Sequence, residues 1–394
     1  MELPLRLLAL LVLLVPSTTE PAAGTSMTFM SIMGSLEHNP DQPRNVSEEL
    51  LQRGWVTHLE AIAGDCNARR PPSKQRHPDP CPVDTGLLQW IERDQQSLGV
   101  PFMYTELPDC GGCGTGVWKR VKWCPATKDY CGPRNLDPNW HANLLALTKA
   151  LKPLIDSGKI GAVALGDELV DHGVSFENFS SVATVLRQEL GPKVKLLAND
   201  ACSPPGPAGW ATIPAALDYI SCDVYNVTSG AGEADKIIEY YDRFLPKLHP
   251  HQQALLVPGT FSCSTGIGVT ENRSSQTAMV LQKLEALSAY AATNPKIGGF
   301  YPWHLMDRMT MADSKRCDYR HGAVSMPPVM AKLREIGSSI VQSEQQRLQQ
   351  EQRQQQQRQQ QEQHEQRQQR QQEEERTLSE SESAASAAAA AAAM

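Results

Sequence analysis

The sequence predicts a single α/β domain built as a (β/α)8 TIM barrel, and three observations carry that expectation. Apolar, strand-like runs alternate with helix-patterned segments along most of the chain, the order that a parallel sheet with crossover helices requires. Polar and acidic residues fall at the C-terminal ends of several different strands, where such barrels collect their chemistry. No GxGxxG turn follows any strand, as an open doubly wound sheet binding a dinucleotide would show. The 394 residues, 40% hydrophobic, suffice for one such core, since barrels use roughly 200 to 250 residues as one domain.

The elements follow in order. Residues 1–24, MELPLRLLALLVLLVPSTTEPAAG, read as a secretory signal peptide: Arg6 precedes an apolar run from Leu7 to Val15, and Ala22, Ala23 and Gly24 resemble a cleavage site. The run is shorter than the roughly 20 residues that span a bilayer, and no later stretch is long and apolar enough, so no membrane span is expected and the chain is placed outside the cell. Strands are expected over 27–34, 101–107, 160–166, 195–199, 219–225, 254–257 and 297–303, with helices over 47–63, 85–97, 140–157, 176–190, 233–248 and 275–292. Ser175 supplies a hydroxyl before the 176–190 helix, and Asp137 with Pro138 opens the 140–157 helix. A complete barrel needs an eighth strand, expected in the irregular stretch 64–82. The domain is bounded at 25–340. Beyond it, 341–394 is a low-complexity extension of Gln, Glu and Arg ending in alanines. Those residues favour helix, but they form no apolar stripe and no heptad of leucines.

Charge and cysteine content narrow the function classes. A net charge of −7 offers no basic field for nucleic acid. Ten cysteines, an even number, suit disulfides in an oxidising compartment. Their densest group, CGGCGTGVWKRVKWCPATKDYC from Cys110 to Cys131, reads as a stapled loop, because a zinc site would add a second close pair or closely spaced histidines. Connectivity does not follow from sequence. Sequons begin at Asn45, Asn178, Asn226 and Asn272 and mark possible glycan acceptors. No metal or cofactor is expected, no Walker loop or GxSxG elbow is present, and the oligomeric state is open.

The strand ends hold the candidate site. The 160–166 run stops at Asp167 and Glu168, with Glu106, Asn199, Asp200, Asp223, Tyr225, Trp303, His304 and Asp307 ending or following other strands. Strict alternation forbids both adjacent acids from pointing inward on one straight strand, and a turn at Gly166 would let both reach the mouth. In this arrangement the chain resembles the broad superfamily of (β/α)8 glycoside hydrolases, whose fourth-strand Glu is commonly the proton donor. ALGDELV also resembles the Gly-Asp-Glu-Val motif of β-N-acetylhexosaminidases. DYISCDVY and GGFYPWHLMD resemble the sixth and last strands of such barrels. The resemblance implies Glu168 as general acid, Asp167 or Asp223 as second carboxylate, Tyr225 near the reacting sugar and Trp303 as its platform. Glu106, Asn199, Asp200, His304 and Asp307 become substrate-binding candidates, and the ligand a carbohydrate or glycoconjugate. One departure stands out: the largest clan of these enzymes ends strand seven on a nucleophilic Glu, and ALLVPGTFS carries no carboxylate. It keeps open a second expectation, a non-catalytic extracellular carbohydrate-binding protein on a degenerate barrel.

Overall fold

The computed structural model describes residues 27, 29–30, 55–56, 58–62, 102–106, 117–120, 134–202, 206–223, 225, 232–263, 273–303, 308–309 and 319–392. The expected signal peptide, the 85–97 helix and the 64–82 stretch lie outside them.

The main sheet has eight parallel strands: β1 (Phe29–Met30), β2 (His58–Ile62), β3 (Phe102–Glu106), β4 (Ile160–Asp167), β5 (Lys195–Ala201), β6 (Tyr219–Asp223), β7 (Gln253–Val257) and β8 (Ile297–Phe300). Their order is β1-β8-β7-β6-β5-β4-β3-β2, so β1 and β2 are the edges of a curled sheet. The curl brings those edges together: the rings of Phe29 and His58 stack with centroids 4.4 Å apart.

Strand alternation divides the apolar residues into two layers. Phe29, Ala162, Ala164, Leu197, Tyr219, Leu255, Val257 and Tyr301 pack together on the concave side. Val163, Leu165, Leu196, Ala198, Ile220 and Leu256 join the larger outer core beneath the helices. Those helices are α1 (Trp140–Asp156), α2 (Phe176–Leu190), α3 (Gly232–Phe244), α4 (Arg273–Thr293) and α5 (Pro327–Ala392). In α1 the buried residues Leu144, Leu147, Leu151, Leu154 and Ile155 recur every three or four positions, one stripe facing the sheet. Ser175 caps α2, accepting from Asn178 N at 3.2 Å, as its hydroxyl suggested.

The eighth strand was expected in the wrong place. It is His58–Ile62, inside the stretch read as the 47–63 helix. Leu51, Trp55, Leu59 and Ile62 recur at helical spacing, and the polar His58 interrupts the apolar run that a buried parallel strand normally shows. His58 is only 6% exposed, and burial pushes its imidazole down to about 3, so a neutral ring serves as core.

Helix α5 runs unbroken across residue 340. Its first turns bury Val329, Met330, Leu333, Ile336 and Ile340, and a Cβ at Gly337 would lie 2.1 Å from the Trp55 carbonyl oxygen, so only glycine permits that approach. Residues 351–373 are exposed. A disulfide joins Cys202 to Cys222, tying the chain after β5 to β6, and Cys263 is also disulfide-bonded. No helix among the described residues is long and apolar enough to cross a membrane.

Candidate active site

The end of β4 builds the site through a bulge. Ala164 pairs with Leu197 and Asp167 with Asn199, so three residues of β4 advance against two of β5. One extra residue resets the alternation. Asp167 therefore joins the concave row of Ala162 and Ala164. The backbone accommodates this at Gly166, φ 137°, and at Glu168, φ 47°, a conformation uncommon for a non-glycine residue and often found at functional sites. The turn needed at Gly166 is present.

Neighbouring side chains hold this shape. Asn199 Nδ2 donates to Asp167 Oδ1 at 2.7 Å, Ser221 Oγ donates to Asn199 Oδ1 at 2.8 Å, and Glu168 N donates to Asn199 O at 3.1 Å. Asn199, 5% exposed, thus faces Asp167 and Ser221. Asp200 is committed to backbone: it accepts from Val170 N at 2.8 Å, Asp171 N at 3.0 Å and Ala201 N at 3.0 Å. His172 lies one helical turn past Glu168, its Nε2 3.7 Å from Glu168 Oε2.

Acids dominate the local field. Burial first, then the charges of Asp167, Asp171 and Asp200, push Glu168 up to about 7, while Arg134 pulls the other way. Burial also pushes Asp200 to about 7 against its three amide donors. Asp223, 7% exposed, is held well above the usual carboxylate range by burial and by Asp167 and Glu168, with the neighbouring Tyr225 hydroxyl opposing. Among the described residues, Asp223 Oδ1 and Tyr225 Oη are buried without a hydrogen-bond partner in bonding geometry. No group of three His, Cys, Asp or Glu among the described residues could hold a metal ion.

An aromatic wall stands beside the acids. Tyr225 and Trp303 stack with centroids 4.7 Å apart at 22°, and Phe261 meets Trp303 edge-on at 5.0 Å. Trp303 is fixed by backbone pairing to the segment after β7, donating to Pro258 O at 2.9 Å. The wall occupies the strand-seven end, where the sequence lacks a carboxylate.

The structure thus gathers Asp167, Glu168, Asn199, Asp200 and Asp223 into one cluster, with Tyr225 linked to it and stacked on Trp303. Glu106 ends β3 in register with Ile62 and Ala164. His304 and Asp307 lie outside the described residues. Sequence reading missed Phe261, His172 and Arg134. An aromatic four residues past Val257 and a histidine four past Glu168 were available as signals; Arg134 offered none.

No protein-family model matches the chain, and no curated protein matches its sequence. Among solved structures, a GH113 β-1,4-mannanase is similar at 13% identity, over 80% of this chain and 99% of that one, with a TM-score of 0.47. A GH113 β-mannanase from Alicyclobacillus acidocaldarius is similar at 12% identity, over 80% and 98%, at 0.46. A β-glucuronidase from an uncultured Clostridium sp. is similar at 13% identity, over 78% and 50%, also at 0.46.

Proposed function

We propose that this chain is a secreted glycoside hydrolase acting on a carbohydrate or glycoconjugate, on a closed (β/α)8 barrel, with Glu168 as general acid. The observation that carries the reading is the Glu168 carboxyl at the end of β4, with its side chain 31% exposed and its pKa pushed to about 7. Such a group holds a proton near neutrality and can deliver it to a glycosidic oxygen as the C–O bond breaks. The second carboxylate is Asp167 or Asp223. Asp167 stands in the concave row beside Glu168, held by Asn199, which favours it to face the developing oxocarbenium ion, while Asp223, held well above the usual carboxylate range by burial and neighbouring acids, and Tyr225 offer their buried polar atoms to substrate hydroxyls. Carboxylates ~5 to 5.5 Å apart accompany retention, and ~6.5 to 9.5 Å accompany inversion. Trp303 and Tyr225 supply the apolar face against which a sugar ring packs. The Cys202–Cys222 disulfide supports secretion, because such bonds persist in oxidising compartments.

A second reading, a carbohydrate-binding protein without catalysis, is favoured by the aromatic wall at the strand-seven end. The two separate on a panel of nitrophenyl glycosides and polysaccharides assayed with the wild type and Glu168→Gln. Hydrolysis reduced by ~100-fold or more in the variant supports the acid. Glycan binding by both proteins, with turnover by neither, establishes the binding protein instead.

A further inference from the structure

Strand β4 outruns its neighbour β3. Their last pairing is Glu106↔Ala164, yet β4 continues to Asp167, and past that point a small antiparallel hairpin flanks it. The hairpin pairs Trp118–Arg120 with Arg134–Leu136 and comes from the cysteine-rich stretch before α1. Trp118 is fully buried, and its indole Nε1 donates to Leu165 O at 2.6 Å. The Arg134 guanidinium donates to Asp167 O. Arg134 N donates to His172 O at 2.6 Å. One residue therefore grips both sides of the 168–172 turn, while Asn199 holds it from the β5 side. Buried carbonyls require partners, and a bulge with its carbonyls taken has no incentive to slip back into plain alternation.

We infer that the Trp118–Arg134 hairpin is a positioning clamp, holding the β4 bulge so that Asp167 and Glu168 both reach the mouth. Its bearing on catalysis rests on the reading of Glu168 as the acid; the clamp itself does not. The charged and titratable groups acting on Glu168 are Asp167, Asp171, Asp200 and Arg134; the Glu168 charge in turn raises Asp223, and His172 lies 3.7 Å away. Arg134, on the hairpin, is the cation among these groups.

The test is carbon-13 NMR titration of the Glu168 carboxyl in the full chain, assigned with Glu168→Gln, beside kcat and KM on whichever glycoside the wild type cleaves. Arg134→Gln raises the Glu168 midpoint by ~1 unit, the scale on which a nearby opposite charge acts, and Arg134→Lys restores it. Trp118→Phe keeps bulk but leaves the Leu165 carbonyl without its donor, and lowers kcat by ~10-fold or more with KM held, since small displacements of reacting groups are costly. A folded Arg134→Gln whose midpoint matches the wild type overturns the clamp. If that variant does not fold, a folded Trp118→Phe with unchanged kcat overturns it. A wild type that cleaves nothing, with the midpoint still moving in Arg134→Gln, removes the glycosidase reading and leaves the clamp standing.

Discussion

Strands β4 to β6 treat carboxylates in opposite ways at their two ends. At the N-terminal end, Asp218 is surrounded by donors: Arg187 and Lys195 pair with it, and Leu196 N donates to it at 2.9 Å. Arg187 also reaches Ala216 O at 3.2 Å and Val194 O at 2.9 Å, tying α2 to the strands. At the C-terminal end, Asp167, Glu168, Asp200 and Asp223 crowd together, and burial and mutual repulsion raise the last three. The first arrangement stabilises the fold. The second opposes it, and a chain retains such a cost where chemistry needs it.

The largest effect expected on this contrast is at the paired end. Asp218→Ala leaves Arg187 without its carboxylate and lowers stability by ~3 kcal/mol, as breaking a partly buried pair does; chemical denaturation reads it, and activity per folded molecule stays at the wild-type level. Next is the pH dependence of stability. A carboxyl whose folded pKa is raised binds more protons folded than unfolded, so stability falls as pH climbs from the unfolded value, 4.5 for Glu and 3.8 for Asp, to the folded value. For Glu168 and Asp200 that window ends at about 7. Melting scans from pH 4.5 to 8 should show a declining Tm, and a rising one would contradict the acid cluster. Asp223→Asn removes one of these penalties, so it raises Tm more at pH 8 than at pH 5. The smallest effect is Lys195→Ala. Its side chain is 47% exposed, and its loss costs less than ~1 kcal/mol in the same denaturation experiment.

How far these two ends were legible in sequence differs by element. The strands β1 and β3 to β8 stood out because short apolar runs alternate with helix-patterned segments. The β2 strand did not, because its inward position is filled by a histidine that is neutral and stacked on Phe29. Asp167 and Glu168 were legible as strand-end acids, and alternation showed that a straight strand could not bring both inward, with Gly166 as the place for a turn. The partners that hold the bulge were not. Trp118 and Arg134 lie 47 and 33 residues from the carbonyls they bind, and local pattern carries no record of such docking. Asp200 looked like a ligand contact because its place at a strand end is the same whether it faces substrate or three backbone amides.

The central claim is that Glu168 is the acid that this end of the sheet is built to hold. Its most direct test is kcat/KM against pH for the wild type on a cleaved glycoside, with Glu168→Gln beside it. With Glu168 as the acid, activity falls as pH rises through about 7, where Glu168 loses its proton, and the variant is ~100-fold or more weaker. Activity that is undiminished above that pH, or that survives in Glu168→Gln, would contradict it.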